Sequence, residues 1–214
     1  MTDRRWVKFF SEGSARERDL LGGKGANLAE MVGLGLPVPP GFTATVEACR
    51  AYLRSGGAIP AGLWDEVAEG VAGIERETGR EFGNPERPLL VSVRSGAAVS
   101  MPGMMDTVLN VGLNDATVDG LARVTSERFA LDSHRRLIQM FGKVVLDVDS
   151  DVFEQILEHA KRAARVENDQ QLDAEALRGV IACFRNALAD REVIFPDDPW
   201  EQLRQTAEAV FRSW

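Results

Sequence analysis

The chain has only two cysteines, Cys49 and Cys183, far apart and in no CxxC spacing. That excludes a disulfide framework and a thiolate zinc site, and both thiols are expected to be reduced and buried. Lysine is scarce too, with four, at 8, 24, 143 and 161, against twenty-one arginines. Basic residues fall short of acidic ones, 25 to 33, leaving a formal charge of -8 and a pI near 4.9. Such a chain lacks the broad positive field that a nucleic-acid backbone or an anionic membrane requires, although a local cationic pocket for one phosphate chain fits inside an acidic envelope. No hydrophobic run approaches the length of a bilayer span. The opening "MTDRRWVKFFSEG" intersperses charges where a signal peptide would be apolar, so the cytoplasm is the expected location. Internal repeats and low-complexity tracts are also missing.

What remains is an ordinary globular composition, 44% hydrophobic and 27% charged over 214 residues, enough to bury a sizeable core. The first half mixes periods and has the look of α/β architecture. "WVKFF" reads as an edge strand, and "GGKGANLAEMVGLGLPVPPGF" as loop, short helix, glycine-proline turn and strand. "TVEACRAYLRSGG" is a helix closing on Gly56 or Gly57, and the stretch to "GNPERP" holds a longer helix weakened by glycine. A strand follows from Leu89 to Arg94, then a loop, then the apolar run Val108 to Val111. Beyond Asn114, a helix cap, the pattern is almost wholly helical, which divides the chain into a mixed part, 1–114, and a helical part, 115–214. In the last helix Asp198 caps, Pro199 suits the first turn, and Glu201 completes a capping box. Leu203, Ala207, Val210, Phe211 and Trp214 share one face. Ending on that apolar face, without a polar tail, suggests a piece of a longer protein; the alternative is a Trp214 that docks on the core.

Two stretches could carry chemistry. "LLGGKGANLAEM" puts Lys24 between glycines at a helix start, where unpaired amides and the helix dipole favour a phosphate. It is neither a Walker A loop nor GxGxxG, and a glycine-rich turn with a solvated lysine is the plainer alternative. "LLVSVRSGAAVSMPGMMDTVLNVGLND" places Arg94 at a strand exit, where a forked guanidinium can meet phosphate oxygens; pairing with a nearby carboxylate is its alternative. In the loop that follows, Gly96 and Gly103 permit close backbone approach. Ser95, Ser100 and Thr107 offer hydroxyls, and Met101, Met104 and Met105 offer pliable packing. His134 and His159 fall in helical patterns without metal-ligand spacing and are read as packing or surface residues.

Those two stretches, the first continued through "VGLGLPVPPGFTATVEAC", closely resemble the N-terminal nucleotide-binding region of the pyruvate, phosphate dikinases, and the resemblance runs through the final "FRSW". The related phosphoenolpyruvate synthases share a GGK loop and a VRS strand, but "SMPGMMDT" is similar to the dikinase loop. The resemblance implies an α+β chain in which an ATP-grasp subdomain precedes a helical one. It also implies a full-length enzyme converting ATP, phosphate and pyruvate into AMP, pyrophosphate and phosphoenolpyruvate. In such an enzyme the β-phosphoryl of ATP passes to a histidine on a swivelling domain and then to a pyruvate-binding barrel.

By the same resemblance, Lys24 and Arg94 match the family's phosphate-contacting lysine and arginine. Gly22, Gly23, Ser95, Gly96, Ser100, Gly103, Met104 and Thr107 match the backbone and cover around the phosphates. Magnesium ligands, the phosphohistidine and the barrel would lie outside this chain, and neither histidine here is the phosphocarrier. The chain is expected to be a monomer carrying half of a nucleotide clamp, inactive alone. A synthase that uses water as acceptor, and a non-catalytic nucleotide-sensing or assembly module, stay open as other readings.

Overall fold

The computed structural model describes residues 5–95 and 107–214. Of these, residues 5–80, 94–95 and 210–214 form one unit, and 81–93 with 107–209 form a second.

In the first unit β1 (Val7–Phe9) pairs antiparallel with β2 (Phe42–Ala44), Phe9 opposite Phe42. Between them runs α1 (Arg18–Gly33), and after them α2 (Val46–Arg54) and α3 (Leu63–Thr78). Thr45 caps α2 by accepting from the Ala48 amide, and Gly79, at φ 67°, closes α3. The glycines that weaken α3 have a packing purpose. The rings of Phe9 and Phe42 meet edge to face at 6.3 Å, and a Cβ on Gly73 or Gly70 would stand 2.6 Å from one ring or the other. Helix propensity is given up there so that the aromatic pair can lie against the helix. Glu66 of α3 anchors β1 from its other end, accepting from the amides of Trp6 at 2.7 Å and Val7 at 2.8 Å.

The second unit starts with β3 (Glu81–Phe82), parallel to β4 (Pro88–Leu89), and with β5 (Val91–Val93), antiparallel to β6 (Val108–Val111). The helices α4 (Asp115–Val124), α5 (Glu127–Val144), α6 (Ser150–Ala164), α7 (Ala174–Ala189) and α8 (Pro199–Arg212) follow. The mixture is α+β. The α/β look of the first half does not extend to an open sheet: the described strands form three separate pairs, of which only β3–β4 is parallel. Strands of two to four residues offer too few ladder bonds to extend a sheet, and helices cover them instead.

Asn114 caps α4 with a reciprocal box, its side chain accepting from the Thr117 amide at 2.9 Å and its own amide donating to Thr117 Oγ1 at 2.8 Å. Helix α5 is the centre of the helical layer, with Leu137, Ile138 and Phe141 fully buried. It also buries charge. Arg135, 2% exposed, donates through Nε and Nη2 to Asp132 at 3.0 and 2.8 Å and through Nη1 to Gln139, and Arg136 holds the other Asp132 oxygen at 3.1 Å. A buried guanidinium survives only when its donors are met in this way.

Three expectations are corrected. Cys49 is buried but Cys183 is exposed. The inward stripe of α7 is Leu177, Val180, Ile181, Phe184 and Leu188, and Cys183 faces away from it. Glu201 does not return to the α8 cap: its oxygens accept from Arg204 and Gln205, charge-assisted bonds that outcompete a lone amide, while Asp198 caps through the Trp200 amide at 3.1 Å. Trp214 does not share the buried face of Leu203, Val210 and Phe211, being 40% exposed.

Candidate functional site

Helix α1 is two helical pieces joined at Gly22, whose φ of 68° and ψ of 173° belong to a region open in practice to glycine alone. The break starts a second helical segment at Gly23, so Lys24 sits in a first turn, among amides that have no partner within the helix. Sequence reading placed Lys24 at a helix start; it did not foresee the helical turn before Gly22.

Gly25 sets the position of that segment. A Cβ there would come within 2.7 and 2.9 Å of the Thr43 side chain, so the helix start lies directly against β2. Gly22 and Gly25 are buried, Gly23 is partly buried and Lys24 is exposed, which leaves the lysine free to reach outward from a fixed base. Lys8 is bound to Glu17 and holds that carboxyl below the usual range, chiefly through their hydrogen bond; Lys161 is bound to Glu158. Among the described residues Lys24 forms no ion pair.

Arg94 leaves the end of β5 exposed, and it too forms no ion pair among the described residues. The carboxylate partner that sequence alone allowed for it is not found there. Ser95, the next residue, is 2% exposed and its hydroxyl has no hydrogen-bond partner among the described residues. Lys24, Arg94 and Ser95 all belong to the first unit, whereas Thr107, partly buried just before β6, belongs to the second. Gly96, Ser100, Gly103 and Met104, with Met101 and Met105, lie outside the described residues.

Elsewhere, Cys49 is buried and its thiol is pushed up to about 11 by desolvation, so it is no nucleophile at neutral pH. Among the described residues no group of three or more His, Cys, Asp or Glu is placed to hold a metal ion. Among the same residues no helix is long and apolar enough to cross a membrane.

Two cations without ion-pair partners among the described residues, one displayed by a glycine-only break and one by a strand end, suit an anionic ligand. Comparison with known proteins points the same way. The family described as "Pyruvate phosphate dikinase, AMP/ATP-binding domain" matches residues 18–77 and 57–141. The chain is 52% identical over 205 residues to "Pyruvate, phosphate dikinase 1, chloroplastic" of Zea mays, covering 95% of this chain and 22% of that protein. It is 52% identical over 218 residues to "Pyruvate, phosphate dikinase" of Rhizobium meliloti (strain 1021), covering 98% of this chain and 24% of that protein. The chain thus spans less than a quarter of the length of these relatives. With the family match running over more than half of its residues, and through both the Gly22–Gly25 break and the Arg94 strand end, the chain belongs to the pyruvate phosphate dikinase AMP/ATP-binding domain family.

Proposed function

We propose that this chain supplies half of an ATP site in a pyruvate, phosphate dikinase, with Lys24 and Arg94 as the phosphate-holding pair. The observation that carries the reading is the exposed lysine in the first turn behind Gly22, with no carboxylate partner among the described residues of a chain of net charge -8. Phosphoryl transfer asks a protein mainly for positioning and for neutralisation of charge on migrating oxygens. Lys24 provides a point charge backed by helix amides, and Arg94 provides a planar fork that can bind two oxygens at once.

In this reading residues 1–114 form an ATP-grasp subdomain and 115–214 a helical one. Gly22, Gly23, Ser95 and the segment from Gly96 to Thr107, including Ser100, Gly103 and Met104, frame and cover the phosphates. ATP is a substrate, and its β-phosphoryl goes to a histidine carried outside these residues. Magnesium, when bound with the nucleotide, would screen the phosphate charge, with its ligands also outside the chain. The phosphohistidine and pyruvate-binding parts are the partners, the chain itself is a monomer, and the setting is the cytoplasm.

Incubation with β-labelled ATP tests this. The chain alone should stay unlabelled while a longer dikinase containing it takes up label and forms pyrophosphate only when phosphate is present. Labelling of the chain alone would overturn the reading, and pyrophosphate-free turnover with water as acceptor would move it to the synthases.

A further inference from the structure

Across the break in α1, Arg18 meets Asn27, its Nη2 donating to Oδ1 at 3.4 Å. In an unbroken helix, residues nine apart lie about 13 Å apart along the axis and on opposite faces. The bond exists because the chain turns at Gly22, so that the first helical piece brings Arg18 back alongside the second. Asn27 follows Gly23 by four residues and Lys24 by three, the spacings of neighbours on one helix face. Helical side chains lean toward the N-terminus, so Asn27 covers the turn that carries Lys24, and its bond draws the Arg18 guanidinium to that turn.

We propose that Arg18 is a third phosphate-binding residue, acting with Lys24 on the same phosphate group, and that Asn27 is its positioning residue, an assignment that rests on the ATP reading of this site. The carboxylates nearby are engaged elsewhere: Glu17 binds Lys8, and Glu30 accepts from the Ala15 amide at 3.0 Å. Asp19 is next to Arg18 in the chain, and consecutive residues on a helix do not face each other. Among the described residues Arg18 enters no ion pair, and it is exposed.

An amide oxygen orients a guanidinium without neutralising it. One such bond leaves the rest of the planar donor set to a ligand. A point charge from Lys24 and a fork from Arg18 then approach one phosphate from the two helical pieces that Gly22 joins. The plainer alternative is a staple across the break. An exposed bond of this length suits that task badly, because near the limit of hydrogen-bonding distance and in contact with water its net contribution is small.

Calorimetric titration of the chain with magnesium-free ATP and with inorganic tripolyphosphate tests this. Arg18→Gln should weaken both about tenfold or more and leave Tm unchanged. Asn27→Ala should weaken both by about threefold and add nothing in the Arg18→Gln background. Arg54→Gln, which removes an exposed arginine at the far end of α2 from β2, controls for net charge and should change affinity by about twofold at most. If Lys24→Ala weakens binding but Arg18→Gln does no more than Arg54→Gln, the role of Arg18 is overturned and the ATP reading stands. If neither Lys24→Ala nor Arg18→Gln weakens binding, or the chain binds no ATP, both are overturned. A drop in Tm with affinity unchanged would make the pair a staple and overturn the proposal, and additive losses would overturn the part given to Asn27.

Discussion

Gln202 holds Gly112 across ninety residues of chain, its Oε1 accepting from the Gly112 amide at 2.9 Å with no exposure to solvent. Its Nε2 donates to the carbonyls of Leu113 and Pro196, each at 2.9 Å. One side chain of α8 thereby satisfies two backbone groups where β6 turns into α4 and a third just before α8 itself. Gln202→Leu keeps the volume and orphans all three. Urea unfolding should show a loss of about 2–4 kcal/mol with an unchanged m-value.

The contact of Gly25 with Thr43 gives a paired test of how the Lys24 segment is seated. Gly25→Ala should cost about 1–3 kcal/mol, because the new Cβ meets both Thr43 branches inside contact distance. Adding Thr43→Ala removes those branches and should recover part of the loss, a non-additivity measured by a double-mutant cycle. Gly22→Ala, at φ 68°, should cost a similar amount that the Thr43 change does not recover.

His134 makes stability depend on pH in a defined window. Its folded pKa, about 4, lies below the usual 6.5, so the unfolded chain binds the proton more readily between those values. The contribution is fully present above pH 6.5, falls as pH drops toward 4, and amounts to about 3 kcal/mol when complete. Glu201, held near 2 chiefly by Arg204, loses its own contribution only below its usual 4.5, so the higher window reports on the histidine. His134→Gln should flatten the stability profile between pH 6.5 and 4 in chemical denaturation.

Helix starts were legible in the sequence where a short polar residue precedes an apolar stripe: Thr45, Asn114, Ser126 and Asp173 each accept from the amide three residues on. Cys183 was misread as buried: residue type argued for burial, whereas helical period places it off the α7 stripe, where it is exposed. The buried Asp132–Arg135 pair and Gln202 were not legible, because periodicity assigns polar residues to solvent and carries no sign of the carbonyls or charges that meet them inside. Lys24 and Arg94 stood out by chemistry: a rare lysine among glycines and an arginine at a strand exit. The backbone break that displays the lysine depends on φ at Gly22, which composition does not specify.

Calorimetric titration of the chain with ATP, with and without magnesium, tests the central claim that Lys24 and Arg94 act on one triphosphate. The account predicts weak binding that falls about tenfold or more on either Lys24→Ala or Arg94→Ala. Tight, magnesium-dependent binding that survives both substitutions would contradict it.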